Sequence, residues 1–451
     1  MKIQIPEKVN RILDVLNNYN YEGYIVGGCV RDSILGREPN DWDICTNCKP
    51  ERMLEIFDGF KVVPTGLKHG TVTIVIEKEH FEVTTFRIDK DYNDGRRPDK
   101  VEFTRDLRED LKRRDFTINA MAYGRREGLI DYYGGMDDIS SKKVRCVGEP
   151  SQRFSEDYLR MLRAVRFSTQ LGYELEPKTF NGIGELSNNI VYISKERIRE
   201  ELNKILLSNE PSKGFRLLLE TGLLGHIIPE MVQCINFEQR NPHHDKDVFN
   251  HIMSVLDNTK KDLVLRLAAL LHDIAKPSCF SIDEEGVGHF YSHHMKGMDM
   301  AEEILKGLKY DNQTIDLVKV LVKEHMSKFH ELTPRIVKRL INRVGVDNIE
   351  RLFELQRADI KGSSEPHDFS SIEEVKELYM KIINEKQPLS VKDLEINGRD
   401  LMQIGIPQGK EIGIILEKLL EKVLDNPEIN KKGLLMDEVK GILLEKGRNE
   451  C

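Results

Sequence analysis

No apolar run in this 451-residue chain approaches the ~20 residues that a membrane-spanning helix requires. Its first residues, Met1-Lys2-Ile3-Gln4-Ile5-Pro6, lack the basic-then-apolar layout of a secretory signal. A soluble, cytoplasmic protein is expected. Cysteine is sparse too: the seven present are scattered and odd in number, which argues against a disulfide framework. Cys45 and Cys48 form a CxxC, but no second pair at similar spacing completes a zinc site and no βαβ setting suits a redox motif. They are expected to be plain strand-end and loop residues. Excess positive charge is also missing. With a net charge of -8 and a pI near 6.0, phosphate affinity must come from local clusters of Lys and Arg. No internal repeat of 20–50 residues is evident.

What is present describes a helix-rich globular protein, 39% apolar and 32% charged. The length exceeds a single ordinary core and predicts three or four domains. Residues 1–149 read as α/β, with an opening helix from Glu7 to about Asn18 and strands near 23–27, 41–45, 70–77, 80–87 and 129–131. The stretch from Asp89 to Lys100, containing Asp94-Gly95-Arg96-Arg97-Pro98, is polar, lacks apolar periodicity and is expected to be a mobile loop. Helical spacing returns from residue 150 to 235. A second all-helical domain spans 236–385, and a helical tail spans 386–451. The fold class expected is therefore α+β.

The most informative residues lie early. Gly27 and Gly28 end the apolar strand Tyr24-Ile25-Val26 and open a helical stretch, so bare backbone N–H groups gather at a helix start, where anionic phosphate is favoured. Asp41-Trp42-Asp43 follows. Strand alternation turns Asp41 and Asp43 to one face, where both can hold a divalent metal. The β-branched runs Gly70–Ile76 and Phe81–Arg87 read as a hairpin, which offers Glu82 as a third carboxylate on a neighbouring strand. Hard carboxylates beside a phosphate cradle suit two-metal phosphoryl or nucleotidyl transfer. Arg113-Arg114-Asp115 supplies a basic pair and an acid suited to triphosphate and ribose. Downstream, Arg160, Arg163 and Arg166 share a helical stripe, with Lys195, Arg197 and Arg199 close behind.

Taken in order, GGCVRD, DWD, EVTTFR, RRDFTINAMAY and Glu156-Asp157-Tyr158-Leu159-Arg160 resemble the head and neck of the class II tRNA nucleotidyltransferases, that is, the CCA-adding enzymes and their bacterial poly(A) polymerase relatives. Ile396-Asn397-Gly398-Arg399-Asp400-Leu401, followed by an amphipathic helix from about Lys410 to Leu424, resembles the family's tRNA-gripping tail. The resemblance implies a polymerase-β-like mixed-sheet head carrying an all-α neck, metal domain and tail. It implies attack of a tRNA 3′-hydroxyl on the α-phosphate of CTP or ATP, with two Mg²⁺ ions on Asp41 and Asp43. Glu82 would assist; Gly27, Gly28, Arg31, Asp32, Arg114, Asp115, Asn119, Arg163 and Arg166 would bind the nucleotide. Asp157 and Arg160, three apart on one helix, would read the base edge together. Enzymes of the family that add only CC lack the 89–100 loop, and no basic insertion of the poly(A) polymerase kind interrupts the neck. Full CCA addition is therefore ranked above terminal-A addition or poly(A) synthesis.

A second constellation comprises His251, the doublet His272-Asp273, His293, His325 and Asp359. Leu270-Leu271-His272-Asp273-Ile274 places two adjacent polar side chains among apolar ones, where a metal would satisfy them. Several His with Asp suit Mn²⁺, Ni²⁺, Fe²⁺ or Zn²⁺, or Mg²⁺ with retained water. The order resembles the HD superfamily of metal-dependent phosphohydrolases, with Phe290-Tyr291-Ser292-His293 and Gly297 matching its additional-histidine segment. Either His293 or the adjoining His294 could be the ligand. A contrasting expectation is an HD phosphohydrolase whose N-terminal half only binds RNA.

Overall fold

The computed structural model describes residues 2–90, 100–240, 246–327, 329 and 331–449. Two compact units divide the chain, residues 1–232 and 233–451. No helix among the described residues is long and apolar enough to cross a membrane. The core of the predicted 89–100 loop, residues 91–99, lies outside the described residues.

The first unit is built on a seven-stranded mixed sheet. In chain order the strands are β1 (Gly23–Val26), β2 (Ile44–Thr46), β3 (Lys61–Gly66), β4 (Thr71–Ile76), β5 (Glu79–Thr85), β6 (Arg87–Lys90), β7 (Lys100–Phe103), β8 (Met121–Gly124) and β9 (Gly128–Asp131). The sheet runs β3-β4-β5-β2-β1-β8-β9, and β6 pairs with β7 separately. Only β2 and β5 run parallel in the large sheet, with Ile44 opposite Val83. Alternation explains the β4–β5 hairpin: Val72, Ile74, Ile76, Phe81 and Val83 are buried while Glu82 points outward. The central strand β1 instead buries Tyr24, Ile25 and Val26 in succession, because both of its faces are covered. One cover is the helix Glu7–Asn18, whose Val9, Ile12, Leu13 and Leu16 form a buried stripe at i, i+3, i+4 and i+7. Each such aliphatic contributes about 1.5–3 kcal/mol on full burial.

Two strands, β3 and β8, were not expected from sequence. Nor was the pairing that makes β6 and β7 a two-stranded ribbon flanking residues 91–99. In the other direction, β2 begins only at Ile44, so Asp41 and Asp43 sit on the extended approach to the strand rather than in it. The ladder nevertheless reaches Asp43, whose carbonyl accepts from Val26 N–H at 3.0 Å.

Helices fill the rest of the first unit, among them Pro150–Glu156, Leu159–Leu171, Pro177–Leu186, Lys195–Leu206 and Pro211–Glu220. The second unit is helical, with Val248–Asp257, Leu263–Leu271, His293–Gly307, Asn312–Glu324, Pro334–Val344, Ile349–Gly362 and Ser370–Asn384. Gly398–Gln403, Lys410–Asp425 and Lys432–Asn449 complete it. A capping box holds the start of Gly398–Gln403: Asn397 accepts from Arg399 N–H, and Asp400 accepts from Asn397 N–H. Leu401, Leu419, Val423, Leu435 and Val439 pack as one buried cluster behind it.

Candidate active site and metal centre

Gly27 stands where β1 turns into the helix Gly28–Ile34. Its φ of +83° belongs to glycine, and a Cβ there would lie 2.8 Å from Arg114 Nη1. The turn thus admits a guanidinium against bare backbone. Arg114 Nε is buried without a hydrogen-bond partner, so this cation has a donor to spare for an incoming anion.

Three carboxylates lie near that turn, close enough to feel one another's charge but not drawn together within 4.8 Å as the second unit's histidines are. Both Asp41 and Asp43 are exposed, and Glu82 on β5 is exposed beside them, since the β2–β5 register sets Ile44 against Val83. Partial desolvation pushes the Asp43 carboxyl up; Arg114 pulls it down, and the Asp41 charge adds to the rise. Glu82 is raised for the same reasons: desolvation first, then repulsion from Asp43 and Asp41. Exposed carboxylates beside a guanidinium offer hard oxygen ligands of the kind divalent cations take.

Behind the turn, a chain of charge-assisted bonds fixes the remaining residues. Arg31 grips Asp32 with Nε and Nη2, both at 2.9 Å, and donates from Nη1 to Asn119 Oδ1 at 2.5 Å. Asn119 Nδ2 donates to Asp115 Oδ1 at 3.1 Å, and Asp115 Oδ2 accepts from Arg163 Nε and Nη2 at 2.8 and 2.6 Å. Burial alone would raise the Asp115 carboxyl, but Arg163 and Asn119 outweigh it and hold it well below the usual carboxylate range.

The basic stripe Arg160–Arg163–Arg166 is internally neutralised. Arg160 pairs with Glu156 and donates to the carbonyls of Arg153 and Arg113, at 2.9 and 3.1 Å. Arg163 is held by Asp115. Arg166 Nε binds Glu201 Oε2 at 2.5 Å, which ties Leu159–Leu171 to Lys195–Leu206. Asp157 departs from the expected geometry. It does not share a helix with Arg160 but lies in the break between Pro150–Glu156 and Leu159–Leu171, with an extended backbone (φ −151°, ψ 105°). Its Oδ1 accepts from Leu159 N–H at 3.1 Å, so the side chain caps the following helix instead of riding on it. Its partner is Arg197, forty residues on and not singled out individually from sequence, which donates at 2.8 and 3.3 Å.

In the second unit, six residues from five elements meet. His251 lies on Val248–Asp257 and Asp359 on Ile349–Gly362; His272 and Asp273 follow the end of Leu263–Leu271; His293 begins His293–Gly307; His325 ends Asn312–Glu324. The His272-Asp273 pair therefore terminates an apolar helix rather than interrupting one. There, the unpaired carbonyls of a last turn are available. His272, His293 and His325 each use Nδ1 on the carbonyl three residues upstream, of Ala269, Phe290 and Val322, at 2.8, 2.7 and 2.6 Å. That bond occupies Nδ1 and leaves Nε2 as the nitrogen that faces the cluster.

Those Nε2 atoms point at Asp273. His272 and His251 lie 3.3 and 3.4 Å from Oδ2, while His293 and His325 lie 3.3 and 3.7 Å from Oδ1. His251 Nε2 also meets Asp359 Oδ1 at 3.0 Å. Two groups able to hold a metal ion result, His251–His272–Asp273 and Asp273–His293–His325, and they share the aspartate. Nε2 of His293 and of His325 are buried without hydrogen-bond partners, as a metal ligand's would be before the ion arrives. Burial opposes charge on His272, yet Asp273 and Asp359 raise it to about 10, while Asp273 itself is held well below the usual range by the surrounding His272 and Lys276. His293 is the buried member of its doublet; His294 is only half-buried. The cluster opens on a cavity of about 840 Å³ lined by Lys276, Phe290, Tyr291, Phe329 and Gln356, among others.

Cys45 and Cys48 are buried and free, with thiols pushed up by desolvation. They take no part in either site.

Family models match three stretches: "Poly A polymerase head domain" over residues 23–145, "Probable RNA and SrmB- binding site of polymerase A" over 172–234, and "tRNA nucleotidyltransferase domain 2 putative" over 285–439. The CCA-adding enzyme of Ligilactobacillus salivarius is 34% identical over 449 residues, covering 98% of each chain. That of Lactococcus lactis subsp. cremoris is 32% identical over 455 residues, covering 99% of this chain and 100% of the other. Among solved structures, the Bacillus stearothermophilus CCA-adding enzyme in complex with CTP aligns with a TM-score of 0.71 at 26% identity, over 99% of this chain and 100% of that one. The Thermotoga maritima CCA-adding enzyme complexed with tRNA shares the fold, with a TM-score of 0.55 at 21% identity, over 98% of this chain and all of that one. End-to-end similarity of this kind identifies the chain as a member of the CCA-adding enzyme family.

Proposed function

We propose that this protein adds C, C and A to the 3′ end of tRNA from CTP and ATP without a nucleic-acid template. The RNA 3′-hydroxyl attacks the nucleotide α-phosphate and pyrophosphate leaves. The observation that carries this reading is the grouping of the Gly27 turn and Arg114 with Asp41, Asp43 and Glu82, in a chain collinear with CCA-adding enzymes. Asp41 and Asp43, with Glu82 close by, would hold two Mg²⁺; bound there, the ions lower the pKa of the attacking hydroxyl and neutralise the leaving pyrophosphate. The backbone of Gly27 and Gly28 and the spare donor of Arg114 hold the triphosphate. Arg31, Asp32, Asn119, Asp115 and Arg163 keep that cradle rigid, and Arg166 braces the neck behind them. Asp157 presents the acceptor that reads the base, with Arg160 and Arg197 as its neighbouring donor forks.

In domain terms we assign residues 1–149 as head, 150–235 as neck, 236–385 as metal domain and 386–451 as tRNA-binding tail, in a cytoplasmic enzyme. Incubation with labelled CTP and ATP, singly and together, on tRNA ending at the discriminator base tests the assignment. Two C additions followed by one A are expected. Addition of A only, onto tRNA ending in CC, would mark a terminal-A enzyme; long A tracts would mark a poly(A) polymerase.

A second reading concerns the metal domain, and the unpartnered Nε2 atoms of His293 and His325 facing Asp273 favour it. His251, His272, Asp273 and Asp359 would hold one transition-metal ion, and Asp273, His293 and His325 a second, with Asp273 between them. Ions there would supply an activated water for phosphoester hydrolysis. Suitable substrates are 2′,3′-cyclic phosphates and 2′-nucleotides.

A further inference from the structure

Two aromatic rings stand beside the base-reading aspartate without a role in the chemistry above. Tyr158 directly follows Asp157 at the start of Leu159–Leu171. Tyr192 closes the short helix Ser187–Tyr192, and the two rings lie 6.2 Å apart, tilted by 36°. The flanking Ile190 and Ile193 are buried, which anchors the turn, yet Tyr192 itself is 69% exposed and Val191 is 54% exposed. Tyr192 is thus among the most exposed large apolar side chains described. The helix that begins three residues later carries Lys195, Arg197 and Arg199, and Arg197 is the residue bonded to Asp157. An exposed aromatic ring, a second ring 6.2 Å away and a basic helix start three residues on match what single-stranded nucleic acid requires: a platform for a base and charge for its phosphate.

We infer that Tyr192, backed by Tyr158, is the stacking shelf for the 3′-terminal base of the RNA being extended. This rests on the nucleotidyl-transfer reading and adds to it a place for the primer. The incoming nucleotide has its phosphates at the Gly27 turn and its base edge at Asp157, so its polar anchors do not use these rings. The RNA terminus needs its own hold, one that tolerates the discriminator base and then C, because all must occupy it in successive rounds. Stacking meets that need, since every base has a π-face while a hydrogen-bonded pocket would select one.

The test uses the full chain and a tRNA minihelix whose 3′-terminal base is 2-aminopurine, titrated without nucleotide. The parent, Tyr192→Phe and Tyr192→Trp should all alter the probe's fluorescence on binding. Tyr192→Ala should abolish that change and weaken minihelix binding by roughly five-fold or more, the low end of a base–aromatic stack, while KM for CTP stays within about two-fold. Equal fluorescence change and affinity for Tyr192→Ala and the parent would overturn the inference. So would a rise in the KM for CTP with primer binding intact, which would assign the shelf to the incoming base. The fluorescence and binding readouts need no turnover, so a chain that failed to add nucleotides would refute the proposed activity and leave those measurements standing.

Discussion

Arg197 Nη2 and Nη1 lie 2.8 and 3.3 Å from the two carboxylate oxygens of Asp157 and bridge forty residues of neck. The pair sets the direction of the only acceptor proposed to read a base. Replacing Arg197 with Ala should leave the Asp157 carboxylate held by Leu159 N–H alone, and should lower discrimination between CTP and ATP by about ten-fold, the worth of one charge-assisted bond. Lys at 197 should restore part of it. Asp157→Ala should impair nucleotide selection more than tRNA binding; steady-state kcat/KM for each nucleotide, beside a tRNA binding isotherm, separates the two. Unchanged kinetics for both nucleotides would remove Asp157 from this role.

Gly27 should tolerate no side chain. Ala at this position meets both a backbone angle that L-residues avoid and the Arg114 guanidinium at 2.8 Å. Gly27→Ala should cost about 1–2 kcal/mol of stability, visible as a lowered Tm, and about 100-fold or more in nucleotide incorporation because the phosphate donor is displaced.

Asp115 ties head to neck through Arg163. Asp115→Asn removes a buried charge whose partner is one-third exposed, so the expected loss is about 2–3 kcal/mol, below the ~3–5 kcal/mol of a fully buried pair. The folded-state pKa of Asp115 is depressed, so its contribution is present above the unfolded value of about 3.9 and fades as pH falls through the folded one. Urea titrations of parent and variant should therefore differ at pH 7 and converge toward pH 2.

The metal domain should be separable from the transferase. Joint replacement of His272 and Asp273 by Ala should abolish transition-metal retention, measured by elemental analysis, and hydrolysis of 2′,3′-cyclic phosphates, while CCA addition persists. Parallel loss of both activities would make the cluster a structural element.

Much of this fold is legible in local pattern. The alternation of Thr71–Thr85 names the hairpin, and the apolar stripe of Glu7–Asn18 names its covering helix. What escapes is set by distant partners. β3 carries Pro64 and a register shift between Val63 and Gly66, which blur its periodicity, and β8 hides inside a run that reads as a motif. The neck reads as uninterrupted helix at Asp157 because no Gly or Pro marks the break; the extended backbone there depends on Leu159 and on Arg197 far along the chain. The arginine stripe is likewise visible in sequence, but its neutralisation by Glu156, Asp115 and Glu201 is not. The histidines were legible by type and order, whereas the Nδ1 bonds to Ala269, Phe290 and Val322 follow from helix ends that spacing alone does not locate.

In the proposed reaction, nucleotide addition depends on metal ions that Asp41 and Asp43 would hold. Rates of labelled CTP incorporation into tRNA by the parent and by the double variant Asp41→Ala, Asp43→Ala, at saturating Mg²⁺, measure it directly. A fall of about 1,000-fold or more with tRNA binding retained is expected; equal rates would remove both carboxylates from the chemistry.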